Sequence, residues 1–311
     1  IGTDSSTRVI FKGSETYSLW EGIRIIGFGA SQTALSYVEI RNAGCGLYLE
    51  NTSNISITDS LIHNCQGTST YGIWIESSFN IFLGTNTIAN IQGGTATGIY
   101  LQNSGTNTLS TNTISNIQGG TATGIYLYSS ASNTLISNVV ERVKTTNGGT
   151  GTGILLELSG TNTLTSGKIS QNNYGLYNDG SSGTITAFYV WWGHYTGPYH
   201  SVTNPQGKGN PVSDFVDYGS WSYSSGKQEI ILLSPSSGRV GESIEINGAG
   251  FATQTIILIS FGTTKTMTTT VSSNNGTFSA TFSVNTQPEA TVVVTASDPG
   301  NNNSTALFYI I

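Results

Sequence analysis

Two glutamates one repeat length apart, Glu50 and Glu76, are the residues best placed in this chain to do chemistry. If the segments that carry them stack at the ~4.8 Å spacing of neighbouring β-strands, their carboxylates stand about 5 Å apart, the separation at which a retaining glycosidase holds its acid and its nucleophile. Any ladder of like residues gives the same spacing. Two solvated corner carboxylates, one with a raised pKa or both sharing a cation, fit it as well. Two positions before these glutamates stand Tyr48 and Trp74, and the same column continues through Tyr100, Tyr126, Leu155 and Tyr177. The glutamate column itself continues as Gln102, Tyr128, Glu157 and Asp179. Aromatic rings beside carboxylates suit a sugar chain laid along the molecule, with rings against apolar sugar faces. The other reading is that a loop, a second domain or another subunit covers the row, because exposed apolar rows of this size are uncommon on monomers.

Other titratable clusters are sparse. His194, His200, Asp214 and Asp217 fall close together, but their spacing matches no metal-ligand motif, and an end-closing role accounts for them more simply. His63 with Cys45 and Cys65 has the donor types for a soft metal. Between Gly22 and Gly175 the basic residues are only Arg24, Arg41, Arg142, Lys144 and Lys168, and the only aspartate is Asp59. No nucleophile motif, phosphate loop or zinc spacing occurs, so no catalytic residue, metal or cofactor is assigned. Cys45 and Cys65 occupy nearly equivalent places in consecutive repeats, which leaves a disulfide and two free buried thiols both open. Sequons at Asn51, Asn54, Asn275, Asn302 and Asn303 permit N-glycosylation in a chain rich in Asn and Thr.

What must position these residues is a repeat. Gly46-Leu-Tyr-Leu, Gly72-Ile-Trp-Ile, Gly98-Ile-Tyr-Leu, Gly124-Ile-Tyr-Leu, Gly153-Ile-Leu-Leu and Gly175-Leu-Tyr-Asn recur at steps of 26, 26, 26, 29 and 22 residues, with a weaker copy at Gly22-Ile-Arg-Ile. That period is the signature of a solenoid of short strands. Ile57, Leu83, Leu109, Leu135 and Leu164, each followed five residues later by Ile62, Ile88, Ile114, Val140 or Ile169, add a second and a third strand to each turn. Three strands per turn with Gly, Asn, Ser and Thr corners predict a parallel β-helix of about seven coils. Asn42, Asn64, Asn90 and Asn116 fall at a strand-to-loop corner, where Asn tolerates left-handed backbone. The Gln-Gly-Gly-Thr-Ala-Thr stretch that follows in two coils is expected to be a loop that absorbs length variation. Residues 1–21 and the segment 191–218 are expected to cover the open ends.

The Gly-Ile-x-Leu coils resemble the parallel β-helix repeat family of secreted and surface proteins. The phrases Trp191-Trp-Gly, Gly197-Pro-Tyr-His, Asn204-Pro and Gly207-Lys-Gly-Asn-Pro-Val-Ser-Asp, closing on Trp221, resemble the tail that ends many such domains in exported proteins. The resemblance implies a right-handed helix over residues 1–221, but no one activity, since the family mixes lyases, epimerases, adhesins and structural proteins. Its lyases generally use clustered acidic calcium ligands with an Arg or Lys base, for which this chain offers little.

Beyond a polar linker at 222–228 the rhythm changes. Apolar runs at 230–233, 243–247, 255–261, 267–271, 278–284, 291–296 and 306–311, bounded by turns, predict a β-sandwich over 229–311. The phrase from Ser234-Pro-Ser-Ser-Gly to Gly248-Ala-Gly-Phe251 resembles the immunoglobulin-like IPT/TIG modules of surface proteins, which implies a spacer or interaction unit. The final run is expected to complete the sandwich rather than pair with another chain.

Bulk properties narrow the function. Only 9% of residues are charged and the net charge is -6, which removes the basic footprint that nucleic acid requires. No apolar run reaches the roughly 20 residues that span a bilayer. The chain starts at Ile rather than Met, as a processed mature chain would. Together these favour an exported, extracellular or cell-surface protein that is not an enzyme: a subunit of a fibre, filament or coat, or an adhesin, partnered by its own copies or other surface proteins. A carbohydrate-binding or carbohydrate-active protein (lyase, epimerase or hydrolase) is the alternative.

Overall fold

The computed structural model describes residues 7–13, 19–30, 32–146, 148–181, 183–219, 221–222, 229–252, 254–273, 277–288, 290–299 and 303–311. The chain falls into two compact units, residues 1–225 and 226–311. Among the described residues no helix is long and apolar enough to cross a membrane.

The first unit is a β-solenoid of about 7 turns. Strands Ile23–Ile26, Cys45–Glu50, Gln66–Glu76, Thr87–Gln102, Thr113–Tyr128, Thr152–Glu157 and Tyr174–Asn178 pair in parallel, coil upon coil. A second ladder runs from Ala34–Ser36 through Ser56–Thr58, Phe82–Gly84, Thr108–Ser110, Thr134–Ile136 and Thr163–Thr165 to Ile185–Phe188. Alternation sends Leu47, Leu49, Ile73, Ile75, Ile99 and Leu101 inward, all fully buried, and leaves the residues between them on the outer face. The third-strand ladder Ile62, Ile88, Ile114 and Val140 meets them from the other side of the core.

The repeated glycine is required by this packing. A Cβ on Gly98 would sit 2.5 Å from the carbonyl oxygen of Gly124 and 2.5 Å from Ile114 Cγ2. The first strand therefore approaches both the next coil and the third-strand ladder at a distance that only glycine allows.

One expectation needs correction. The Gln-Gly-Gly-Thr-Ala-Thr stretches are paired strand, not loop: Gln92, Gly93, Thr95, Ala96 and Thr97 pair in parallel with Gln118, Gly119, Thr121, Ala122 and Thr123. Identical sequence in consecutive coils lets the two backbones run in register. Ile91, Ile117, Ala96 and Ala122 turn into the core and hold the bend. Third and first strands thus fuse into Thr87–Gln102 and Thr113–Tyr128.

Polar ladders hold the corners. Asn64, Asn90 and Asn116 adopt φ of 55°, 55° and 57°, with the Asn90 amide donating to Asn64 and the Asn116 amide to Asn90, each at 3.2 Å. A second Asn ladder is buried: Asn86 N and Nδ2 both donate to Asn112 Oδ1 at 3.0 Å, and Asn112 repeats this with Asn138. Ser78, Ser104, Ser130 and Ser159 form a third, each hydroxyl accepting the backbone N–H of the residue in the preceding coil. Backbone groups at the turns, otherwise costly to bury, are satisfied this way.

At the N-terminal end Val9–Lys12 pairs in parallel with Val38–Arg41, and Trp20 Nε1 donates to the Arg41 carbonyl at 2.9 Å. At the other end Trp192, Val212 and Tyr218 join the solenoid core.

The second unit is all strand and turn. Ile230–Ser234, Ser243–Ala249 and Phe278–Ser283 form an antiparallel three-stranded sheet. A five-stranded sheet is ordered Ser237–Gly238, Asn303–Ile310, Thr291–Ser297, Ile256–Phe261, Thr264–Val271. Phe251, Phe261 and Phe308 are fully buried in its core. The last strand lies inside the five-stranded sheet, between Ser237–Gly238 and Thr291–Ser297.

Candidate functional site: an aromatic groove on the solenoid

The outer face of the first-strand sheet brings the aromatic column together. Register pairs Tyr48 with Trp74, Trp74 with Tyr100, Tyr100 with Tyr126, Tyr126 with Leu155 and Leu155 with Tyr177. Ring centroids are 4.8 Å apart for Tyr48 and Trp74, 5.8 Å for Trp74 and Tyr100, and 4.9 Å for Tyr100 and Tyr126. Tyr71 also belongs to the row, packing on Trp74 at 4.8 Å and stacking on Tyr100 at 5.6 Å with an interplanar angle of 17°.

The rings cover one another. Tyr48 is only 9% exposed, Trp74, Tyr100 and Tyr126 are half-buried, and Tyr177 is 43% exposed at the far end. The row is therefore a ribbed, partly self-covered platform.

The glutamate column runs beside it, with Glu50 paired to Glu76, Glu76 to Gln102, Gln102 to Tyr128 and Tyr128 to Glu157. Tyr48 Oη donates to Glu76 Oε2 at 2.6 Å, and Tyr126 Oη donates to Glu157 Oε2 at 2.5 Å. Two of the carboxylates are thus oriented by the platform itself. Arg24 lies over the Tyr48 ring, 4.7 Å from its centroid, and reaches Glu50 Oε2 at 3.9 Å. Glu50 and Glu76 are neighbours as expected, each already engaged by a side chain of the platform.

Burial first, and then the Glu76 and Glu50 carboxylates, push the Tyr48 hydroxyl above its ordinary range. Burial and Glu157 do the same to Tyr126. Tyr100 is pushed up to about 12, by burial and then by Tyr71, Tyr128 and the two glutamates. The hydroxyls of Tyr48, Tyr71, Tyr100 and Tyr126 are therefore held as neutral donors at neutral pH.

A groove of about 500 Å³ opens at the N-terminal end of the row, lined by Glu21, Arg24, Cys45, Tyr48, Tyr71 and Trp74. Its walls are mainly apolar, with Arg24 and Glu21 at the rim. The indole Nε1 of Trp74 is buried without a hydrogen-bond partner among the described residues. At the other end of the row a cavity of about 300 Å³ gathers Tyr174, Tyr177, Tyr199, Asp179, His200 and Asp214. There His200 Nε2 lies 3.1 Å from Asp214 Oδ1, and His200 Nδ1 accepts the Thr203 N–H at 3.1 Å. Asp179 is held below the usual carboxylate range: burial opposes this, but hydrogen bonds from Ser181 and Leu158 outweigh it. Asp217 caps the Gly219 N–H, and His194 Nδ1 contacts Thr196 Oγ1, so neither joins this pair.

The cysteines are not equivalent. Cys45 pairs with Tyr71, whereas Cys65 stands in the column of Ala43 and Ile91, since Gln66 N donates to Ala43 O and Gln92 N to Cys65 O. The coil holding Cys45 reaches its glycine by a shorter path from Ile40 than the next does from Ile62, which offsets the two positions. Both are free thiols, pushed up by burial to about 12 for Cys45 and about 11 for Cys65. His63 Nε2 turns instead to Glu39 Oε1 at 3.1 Å, which also holds Arg41. Among the described residues no group of three or more His, Cys, Asp or Glu side chains could hold a metal ion.

Asn51 and Asn54 stand exposed at left-handed corners, with φ of 52° and 54°, and Asn303 is exposed at the start of its strand. Asn275 and Asn302 lie outside the described residues.

Tyr71 and Tyr174 are the site residues that sequence reasoning missed. Each immediately precedes a repeat glycine, in a column that otherwise carries Cys45, Thr97, Thr123 and Thr152. An aromatic directly before the glycine was the available signal.

Three-stranded coils stacked in parallel, with an outward aromatic row, define a β-helix protein. Residues 21–188, more than half of the chain, match the family model described as the right handed beta helix region, and the chain belongs to that family. No curated protein matches it. The fold is common to surface proteins and carbohydrate-active proteins alike, so function has to be argued from the groove.

Proposed function

We propose that this is an extracellular or cell-surface protein whose β-helix binds a saccharide strand along its aromatic platform, in the manner of an adhesin, without turning it over. The observation that carries the reading is the row itself. Four stacked rings at 4.8 to 5.8 Å spacing, flanked by carboxylates fixed by Tyr48 and Tyr126, open onto an apolar groove at Trp74. Sugar rings can lay their apolar faces across the outer edges of such a stack and give hydroxyl donors to such carboxylates. A concave, mainly apolar groove with a few fixed polar groups is the common form of a small-ligand site. The half-buried rings give a protein partner little flat area, against the ~800 Å² per side of a typical stable interface.

The test is binding of soluble polysaccharides and their oligomers by calorimetry. Trp74→Ala and Tyr100→Ala are each expected to weaken binding at least about tenfold, or ~1.4 kcal/mol, at unchanged circular dichroism. Glu50→Gln is expected to retain binding, and no reducing ends are expected to accumulate.

A second reading, subunit of a fibre or coat, draws on the second unit, read here as an immunoglobulin-like IPT/TIG module with Phe251 of its Gly-x-Gly-Phe turn packed on Phe278 at 5.2 Å. One face of its five-stranded sheet leaves Ile256, Leu258, Val271, Val293, Leu307 and Tyr309 exposed. Apolar residues gathered so on one face favour association. Sedimentation at rising concentration tests it: assembly beyond the monomer is expected, lost in Leu307→Glu.

A further inference from the structure

A separate cavity of about 310 Å³ lies near the C-terminal end of the solenoid, between the last third-strand segment, Lys168–Ser170, and the closing segment that carries Trp191 and Lys208. Two lysines, Lys168 and Lys208, line it and no carboxylate does. Lys168 is shared with Glu141, at 2.8 Å, which Arg142 also contacts, so this trio keeps one net positive charge beside the cavity. Lys208 is exposed and makes no ion pair among the described residues.

One donor in the wall, Ser170, and one turned into the core behind it, Trp192, have nothing to donate to. Ser170 is 2% exposed and Trp192 fully buried, yet neither Ser170 Oγ nor Trp192 Nε1 has a hydrogen-bond partner among the described residues. Ser170 follows the inward Ile169 and so faces outward, toward Gly193, where an added Cβ would meet Ser170 Cβ at 3.2 Å. The neighbouring amide Asn210 is engaged with Asn172, donating to Asn172 O at 2.9 Å and accepting from Asn172 N at 3.2 Å. A buried donor left unpaired costs ~1–3 kcal/mol, and such a group in an otherwise satisfied fold points to a missing partner. Water would serve one donor, but two lysines with no lining acid select a negative charge.

We propose that this cavity is an oxyanion site that takes a carboxylate or sulfate group, paired by Lys208 and Lys168, hydrogen-bonded by the Ser170 hydroxyl, with the Trp191 indole as a flat wall. It is independent of the aromatic groove and uses none of its residues.

The test uses the full chain, titrated with sodium sulfate and with sodium benzoate at constant ionic strength set by chloride. The indole N–H resonances of Trp191 and Trp192 are followed by NMR, assigned with Trp191→Phe. Saturable shifts with either oxyanion, absent with chloride, are expected, and the tighter of the two names the group the site prefers. Lys208→Glu should raise Kd at least tenfold. Ser170→Ala should raise it severalfold at an unchanged melting temperature, because it removes a hydroxyl that makes no bond in the fold. Trp74→Ala should leave these shifts intact, and Lys208→Glu should leave saccharide binding at the groove intact, so failure here is distinct from failure of the saccharide reading. Linear, non-saturating shifts, equal shifts with chloride, or an unchanged Kd in Lys208→Glu would each overturn the proposal.

Discussion

The hydroxyl of Tyr48 donates to Glu76 Oε2 at 2.6 Å, from one coil to the next. A ring of the platform thereby fixes a carboxylate at its edge, and Tyr126 repeats the arrangement with Glu157. The groove is organised before any ligand arrives. Tyr48→Phe and Tyr126→Phe keep the rings and release the carboxylates. Each is expected to weaken saccharide binding by ~1 kcal/mol, about fivefold, with less effect than Trp74→Ala. Calorimetry on the same oligomer decides; a larger loss in Tyr48→Phe than in Trp74→Ala would assign the affinity to the carboxylates rather than the rings.

The same raised hydroxyls make stability depend on alkaline pH. Groups whose pKa is higher folded than unfolded stabilise fully below the unfolded value, and that contribution is lost as pH climbs through the folded value. Tyr100 moves from 10.0 to about 12, with Tyr48, Tyr71 and Tyr126 also raised, and Cys65 moves from 9.0 to about 11. The urea midpoint should hold steady from neutral pH to about 9 and then fall steadily toward 12. Absorbance at 295 nm should show the groove tyrosines ionising after the exposed ones. A midpoint flat to pH 12 contradicts these environments.

Cys65 is buried and Cys45 is partly exposed in the groove, and both are held protonated. At pH 8 in the native state Cys45 should therefore react slowly with a disulfide reagent and Cys65 not at all, and both should react fully once urea unfolds the chain. Titration without reductant separates the two readings left open by the sequence. Two thiols per chain after unfolding fit the structure; none would mean an oxidised pair.

Stability should be most sensitive where the coils touch. Gly98→Ala places a methyl group 2.5 Å from the Gly124 oxygen and should cost at least ~2 kcal/mol. Gly29→Ala, where a Cβ meets nothing within 4 Å, is the control. Asn112→Ala removes the acceptor of the Asn86 backbone N–H and should cost ~2–4 kcal/mol, because that buried donor is left unpaired. Urea unfolding of the three variants gives the ranking; Gly98→Ala as stable as Gly29→Ala would refute the close-approach account.

Much of this was written into the period of the sequence. The glycine phrase, the Ile62 to Val140 ladder and the Tyr48 to Tyr126 column repeat at the coil length, so spacing alone stacks them. What broke the period was harder to read. Tyr71 and Tyr174 occur only in two coils, in a column of small residues elsewhere, and gave no repeat to notice. Cys45 and Cys65 fall at similar places in the sequence of consecutive coils, but a shorter corner before Gly46 offsets their columns. The Gln-Gly-Gly-Thr-Ala-Thr stretch has loop composition, but its identical neighbour supplies a strand partner that single-segment propensity ignores. The buried ladder of Asn86, Asn112 and Asn138 recurs at the 26-residue step, yet burial of Asn follows only from the corner geometry.

The central claim is that the outward aromatic row is a saccharide platform. Calorimetric titration of the full chain with a polysaccharide panel, wild type against Trp74→Ala, tests it most directly. The account predicts saturable binding of at least one glycan by the wild type and a loss of at least about tenfold in the variant. Binding of equal strength by both proteins, or no glycan bound by the wild type, would contradict it.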